Sequence, residues 1–272
     1  MAQLVAIGGF MIEITSTTNP LVKEIAKLAQ KKYRLETKLF LIEGQKAVDE
    51  AFSLGLEFEH VFVQKEKKDK IPNFKNLILT NEAVLQKIST TETAPEIVAV
   101  AKQVKFSLED VVARNHIVLL ENIKDSGNLG TIFRTCTALG VEAIILVGDT
   151  VDAYNPKTVR SAVGNLFKIP FVSIKSIQEA KNLLKEHEFF ATVVPQKGAL
   201  SITDIKLPRK SVIMFGSEAN GLSNEATNFA DMKITIPISS EVESLNLSTA
   251  VTICVWELMT KRSSQYNDKH VP

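Results

Sequence analysis

Apolar and polar positions fall into short blocks that alternate between helical and strand-like spacing along the 272-residue chain. In ITSTTNPLVKEIAKLAQKKYRLE, Leu21, Ile25, Leu28 and Ala29 share one face behind Asn19 and Pro20, and this pattern predicts a helix opening at that pair. KLFLIEG reads as a strand, after which Gly44 opens and Gly55 closes a helix over QKAVDEAFSLG. FEHVFVQ and NLILT are predicted strands, NEAVLQKIST a helix, and PEIVAVAKQV a returning strand. Residues 12–105 therefore read as one small α/β/α domain. KFSLEDVVARN carries few long apolar runs, so 106–115 is expected to be a linker, with tails at 1–11 and 263–272.

From residue 116 the alternation is cleaner. HIVLLENI, EAIILVG, IPFVSI, FFATVV, SVIMFGS and KITIPIS are short apolar runs divided by helical patterns, which predicts six strands of a parallel sheet covered on both faces, over 116–262. A last helix from Asn246 to Arg262 lines up Leu247, Ala250, Val251, Cys254, Leu258 and Met259, with Ile253 and Trp256 off that stripe. Such a helix needs a second surface, either within the chain or on a second subunit.

Composition narrows the classes. No apolar run approaches the roughly 20 residues of a membrane-spanning helix, and MAQLVAIGGF has no secretory pattern, so a cytoplasmic protein with no membrane partner is expected. Cys136 and Cys254 fall at helical spacing among apolar residues and read as buried thiols. His60, His116, His187 and His270 are scattered, without ligand spacing, and no metal is expected. A net charge of +1 decides nothing, but its distribution is uneven. Lys23, Lys27, Lys31, Lys32, Arg34 and Lys38 face only Glu24 and Glu36, and Lys65, Lys67, Lys68 and Lys70 form a second cluster. Each is either a solvated face or a contact for phosphate.

GxGxxG after the first strand of the sheet and GxxxxGK[ST] are both absent, which disfavours dinucleotide and P-loop chemistry. That strand leads instead into DSGNLG, where Gly127 and Gly130 permit close backbone approach and Asn128 reads as a helix cap. Leu129, Ile132, Phe133, Cys136 and Leu139 make the buried face of the helix, with Arg134 beside it. FGSEANGL at 215–222 and IPISSEVESLNLSTA at 236–250 have the same construction, an apolar run ending in small and polar residues before a helix. Three such loops at the carboxyl edge of one sheet would assemble a site.

The three segments resemble the SpoU (TrmH) family of RNA ribose 2′-O-methyltransferases. Asn128, Gly130 and Arg134 match its NxGxxxR element and Gly140 the glycine that follows it; Gly216, Glu218, Gly221 and Leu222 match GxExxGL; Ile236, Pro237, Ser244, Leu245, Asn246 and Ser248 match IPMxGxxxSLNVS. Ala219, Ile238 and Ser240 depart from that pattern, two of them replacing a glycine, which puts local loop conformation in question. The resemblance implies a parallel-sheet domain with a deep trefoil knot, homodimerisation, and S-adenosylmethionine held at Gly216, Ile236 and Leu245. It implies catalytic roles for Arg134, Asn128, Glu218, Ser244 and Asn246, with Glu218 as charge partner of Arg134. NPLVKEIAKL and FLIEGQKAVDEA resemble the ribosomal-protein-like substrate-binding domain that precedes many such enzymes, which favours ribosomal RNA. Arg134, Arg160, Lys31, Lys32 and Arg34 are then the expected RNA contacts. A transfer RNA substrate, or a non-catalytic RNA-binding or ribosome-assembly role, stays open at this point.

Overall fold

The computed structural model describes residues 12–72 and 74–263, so the expected tail over 1–11, and that over 263–272 beyond Ser263, lie outside the described residues. The described residues divide into two compact units: those up to Lys105 together with Asp152–Phe167, and Phe106–Val151 together with those from Lys168 onward.

In the first unit, β1 (Ile12–Ile14) leads to α1 (Pro20–Ala26), whose first turn is closed by Asn19 Oδ1 accepting from the Leu21 amide at 2.9 Å. α2 (Lys31–Thr37), β2 (Leu39–Glu43), α3 (Gln45–Ser53), β3 (Phe58–Gln64), β4 (Leu77–Thr80), α4 (Glu82–Ile88) and β5 (Ile97–Lys102) follow. Gly44, at φ +90, turns the chain from β2 into α3, a conformation that a side chain would oppose. The sheet runs β1-β4-β3-β5-β2, parallel across β1, β4 and β3 and antiparallel at β5. Val22, Ile25 and Leu28 meet Val84, Leu85 and Ile88 over Leu41, Phe62, Ile78, Val98 and Val100.

The second unit contains α5 (Leu108–Val112), β6 (His116–Glu121), α6 (Ser126–Ala138), β7 (Ala143–Val147), β8 (Phe171–Ile174), α8 (Ile177–Leu183), β9 (Glu188–Thr192), β10 (Leu200–Ser201), β11 (Ser211–Phe215), α9 (Asn224–Phe229), β12 (Met232–Thr235) and α10 (Leu247–Ser263); α7 (Pro156–Ala162) belongs to the first unit. Its sheet is parallel throughout, in the order β10-β12-β9-β11-β6-β7-β8. β6, β7 and β11 are buried at every position, as continuous apolar strands covered on both faces must be. The six expected strands are present, with the two-residue β10 added at one edge. On α10, Val251, Cys254 and Leu258 are buried, while Ile253 is 36% and Trp256 56% exposed.

At two places the packing divides the chain differently from the expected boundaries. Residues 106–115 are not a featureless connector: Ser107 and Asp110 form a reciprocal capping box that starts α5, and Val111 enters the core of the second unit. The stretch 152–167, read as part of the second domain, packs with the first. Polar anchors add to the burial of its Val159, Ala162, Leu166 and Phe167. Arg34 is buried, donating from Nε to Asp152 at 2.8 Å and from Nη1 to the carbonyls of Leu28 and Ala29 at 2.7 and 2.8 Å. Glu43, also buried, accepts from the Thr90 amide at 2.6 Å and from the Arg160 guanidinium. Tyr154 donates to the Val104 carbonyl at 2.6 Å, and its ring lies 4.8 Å from that of Phe40. Arg34 and Arg160 were expected to meet RNA phosphate; both are instead committed to carboxylates of the first unit.

Candidate active site

β6 and β11 are neighbours, with Leu120 opposite Phe215. The connection leaving β6 leads to β7, and the one leaving β11 leads past β9 to β12, so the chain turns in opposite directions from adjacent strands. The carboxyl edge of a parallel sheet opens a crevice at such a reversal. All three motif loops leave the sheet on this edge.

Asp125, and not Asn128, caps α6, with its carboxylate accepting from the Asn128 amide nitrogen at 2.7 Å. Gly127 and Gly130 lie inside the helix, so neither serves as a turn residue. Relieved of capping, the Asn128 side chain joins the other two loops. Its Nδ2 donates to Glu218 Oε1 at 2.9 Å, and its Oδ1 accepts from Asn246 Nδ2 at 3.1 Å. Asn246 Oδ1 in turn accepts from the Ser248 amide and hydroxyl at 2.9 and 2.7 Å, capping α10. One residue from each loop thus enters a single hydrogen-bonded chain. Glu218 Oε2 accepts from the Lys124 amide at 3.4 Å.

Arg134 is exposed on α6, and among the described residues no hydrogen bond or ion pair engages its guanidinium. The expected pairing with Glu218 is therefore not made: Glu218 is held by Asn128 and Lys124. Ser244 is exposed, two residues ahead of Asn246. Lys31 and Lys32 are exposed on α2, with Lys32 only 4.0 Å from Glu36.

Beside this chain lies a cavity of about 880 Å³, lined by Gly216, Ile236, Ser244, Leu245, Leu247 and Cys254 among others. Its size suits a small-molecule ligand. Gly216 is buried where the chain doubles back, with Ser217 and Gly221 exchanging backbone hydrogen bonds at 3.1 and 2.8 Å; a Cβ on Gly216 would overlap the backbone of Gly221 and Leu222. Burial pushes the Cys254 thiol up to about 12 and the Cys136 thiol up as well, so both stay protonated packing groups. Among the described residues no His, Cys, Asp and Glu group could hold a metal ion.

Ala219, Ile238 and Ser240 raise no conformational difficulty. The described non-glycine residues with positive φ are Lys38, Asn122 and Val163, so none of the three departures occupies left-handed backbone.

Sequence reasoning missed the groups that tie the loops down. Glu121, the buried carboxylate ending β6, accepts from the amide and hydroxyl of Ser223, each at 2.8 Å, and the Ser223 oxygen caps α9 through the Ala226 amide. Lys124 Nζ donates to Asp149 at 2.5 Å, and Asn122 Oδ1 accepts from the Asp149 amide at 2.9 Å. An acidic residue closing the apolar run HIVLLE was the available signal, because a buried carboxylate must find donors.

Residues 115–256 match the SpoU rRNA Methylase family, and residues 19–99 match the MRM3-like substrate binding domain. The chain belongs to the SpoU rRNA methylase family. Among SpoU relatives, an uncharacterized tRNA/rRNA methyltransferase of Synechocystis is 32% identical over 90% of this chain and 92% of its own. The 23S rRNA (guanosine(2553)-2′-O)-methyltransferase RlmP of Bacillus subtilis is 30% identical over 91% of this chain and 99% of its own. The solved structure of an AdoMet-bound rRNA methyltransferase from Sinorhizobium meliloti superposes with a TM-score of 0.82 at 30% identity, covering 95% of this chain and 99% of that one. The SpoU donor, S-adenosylmethionine, suits the cavity: one wall is aliphatic at Ile236, Leu245 and Leu247, and the side-chain-free Gly216 offers backbone at another.

Proposed function

We propose that this protein methylates a ribose 2′-hydroxyl of ribosomal RNA, with 23S ribosomal RNA as the substrate and S-adenosylmethionine as the donor. The observation that carries the reading is the Glu218–Asn128–Asn246 chain, which joins three loops beside a ligand-sized cavity. The RlmP relative, which acts on 23S rRNA, and the match of the first unit to a substrate-binding domain support the choice of RNA.

When bound, S-adenosylmethionine supplies a methyl group made electrophilic by its sulfonium. The protein's own task is placement. Gly216, Ile236 and Leu245 hold the donor against the sheet edge, and Asn128, fixed at both ends of its amide, sets the spacing between the loops that carry Glu218 and Asn246. A ribose hydroxyl is a poor nucleophile until its proton leaves, so in-line placement and proton removal account for the acceleration. Arg134 is a donor-only group with its hydrogen-bonding capacity unspent on the described protein, and it engages the target phosphate and hydroxyl. Ser244 adds a hydroxyl at the rim. Lys31 and Lys32 contribute phosphate contacts that carry no sequence readout.

The same reading includes a trefoil knot formed by the carboxyl-terminal loops, cytoplasmic action, and a homodimer that covers Ile253 and Trp256 of α10. Among the described residues no helix is long and apolar enough to cross a membrane. Purified protein incubated with labelled S-adenosylmethionine and separate ribosomal and transfer RNA fractions tests the proposal. Label in ribosomal RNA supports it; label confined to transfer RNA overturns the substrate, and binding of RNA without transfer overturns the catalysis.

A further inference from the structure

A second cavity, of about 570 Å³, lies wholly within the first unit, between α1, α2 and the β2-β5-β3 part of the sheet. Its floor is apolar, from Leu21, Leu28, Leu39 and Val100, and its polar groups are Tyr33 and His60 with Lys23, Lys27, Glu24 and Glu59.

Glu59 and His60 are adjacent on β3, yet both line this cavity. In a regular strand successive side chains point to opposite faces. Here the register of β3 against β5 shifts between Phe58, opposite Ala101, and His60, opposite Val100, leaving Glu59 without a partner. A bulge of this kind re-aims side chains, and it turns two chemically useful residues into one pocket.

The polar groups are also unspent. Among the described residues, neither ring nitrogen of His60 nor the Tyr33 hydroxyl makes a hydrogen bond, and neither Glu24 nor Glu59 is ion-paired. Half-burial holds the imidazole below its ordinary 6.5, against the pull of Glu59 and Glu24, so at neutral pH it offers one donor and one acceptor. The Lys27 ammonium stands 5.2 Å over the Tyr33 ring, a cation–π contact that shows the ring face attracting a cation from within the pocket.

We infer that this cavity receives one unstacked nucleobase of the RNA substrate, and that guanine fits it best. Single-stranded RNA is read by splaying a base against aromatic rings and bonding its edge. The base displaces the Lys27 ammonium from the Tyr33 ring and stacks there; Lys23 and the displaced Lys27 take the flanking phosphates; Glu24 and Glu59 accept from the N1–H and exocyclic amine that guanine presents together. Adenine offers only one of those donors on that edge, and uracil a single imide N–H. The bound base is distinct from the nucleotide that is methylated, and the inference rests on the reading of the protein as an RNA-modifying enzyme.

The full-length protein is titrated with 5′-GMP, AMP, CMP and UMP, following the aromatic NMR signals of Tyr33 and His60, with inorganic phosphate as control. The expected result is saturable shifts of both rings with GMP, at least fivefold weaker binding of AMP, and loss of that preference in Glu59→Gln. In parallel, Tyr33→Ala and Glu59→Gln raise the KM for ribosomal RNA at least fivefold, with kcat and donor affinity unchanged. Tyr33→Ala removes core packing, so Glu59→Gln carries the test if the former does not fold. The inference is overturned if no nucleotide moves the rings, if phosphate alone reproduces the shifts, if all four nucleotides bind equally, or if both KM values match wild type. Wild type that methylates RNA while the rings ignore GMP sinks the pocket and leaves the function standing; selective GMP binding without methyl transfer does the reverse.

Discussion

Two polar constellations, one in each unit, use nearly the same residue types to opposite ends. In the first unit Arg34 and Asp152 are 1% and 12% exposed at their side chains, and Glu43, at 1%, accepts from both Thr90 and Arg160. Each charge is answered, and Arg34, Asp152 and Glu43 are enclosed as well. In the second unit the Glu218–Asn128–Asn246 chain faces solvent and is built mainly from amides, and the helix that carries Asn128 also carries Arg134, exposed and with no partner among the described residues. Satisfied buried charge fixes a fold, whereas ordered polar groups with donors to spare are what a ligand requires. An arginine in a sequence does not say which it will be.

The largest effect is expected where the enclosed pair is broken. Arg34→Ala leaves Asp152 without its partner and two carbonyls without donors, and should destabilise the protein by about 3–5 kcal/mol in denaturant unfolding. A loss under about 1 kcal/mol would mean that the pair is not the fastening it resembles. Arg134→Ala should do the opposite, leaving unfolding within about 0.5 kcal/mol of wild type while methyl transfer falls about 10²–10³-fold. Glu121→Ala lies between the two classes: the Ser223 donors lose their carboxylate, at about 1–3 kcal/mol, and turnover should fall with them because the loop bearing Glu218 is loosened. Circular dichroism melts and a turnover assay on one preparation separate those contributions.

A pH series sharpens the contrast further. Burial depresses His187, and more than offsets the raising effect of its bond to the Arg114 carbonyl at 2.7 Å; His60 is depressed by the same cause. The unfolded chain therefore binds protons that the folded chain refuses, so their stabilising contribution is present above pH 6.5 and is lost as pH falls from there through the folded values. His187→Gln should flatten that part of the stability curve. The smallest effect belongs to the open stripe: Lys32→Ala should leave stability unchanged and lower the salt slope of RNA binding by about one unit, as expected for a single phosphate contact.

What was legible in the sequence follows from the range of the interactions. Apolar runs gave the strands of both sheets except the short edge strands β1 and β10, and local grammar gave the Asn19 cap and the Gly44 turn, because those features are decided within a few residues. The Asn128, Glu218 and Asn246 motif positions were also visible, since their spacing resembles a known family. Partnerships were not. Arg34 meets Asp152 across 118 positions, and Arg160 meets Glu43 across 117, so nothing nearby in sequence marks either arginine as buried. The capping of α6 by Asp125 was missed for a subtler reason: Asp125 and Asn128 are both good caps, and only the pull of Glu218 and Asn246 on the Asn128 amide separates them.

The most direct test is to incubate wild-type and Arg134→Ala protein with S-adenosylmethionine and ribosomal RNA from cells lacking the gene, then map ribose methylation nucleotide by nucleotide. The account predicts one 2′-O-methylated position in 23S ribosomal RNA with wild type, and at least a hundredfold slower modification of that position by an equally stable Arg134→Ala. Modification at the wild-type rate by the variant would contradict the assignment of the exposed arginine. Methylation on a base, with every ribose unmodified, would contradict the reaction itself.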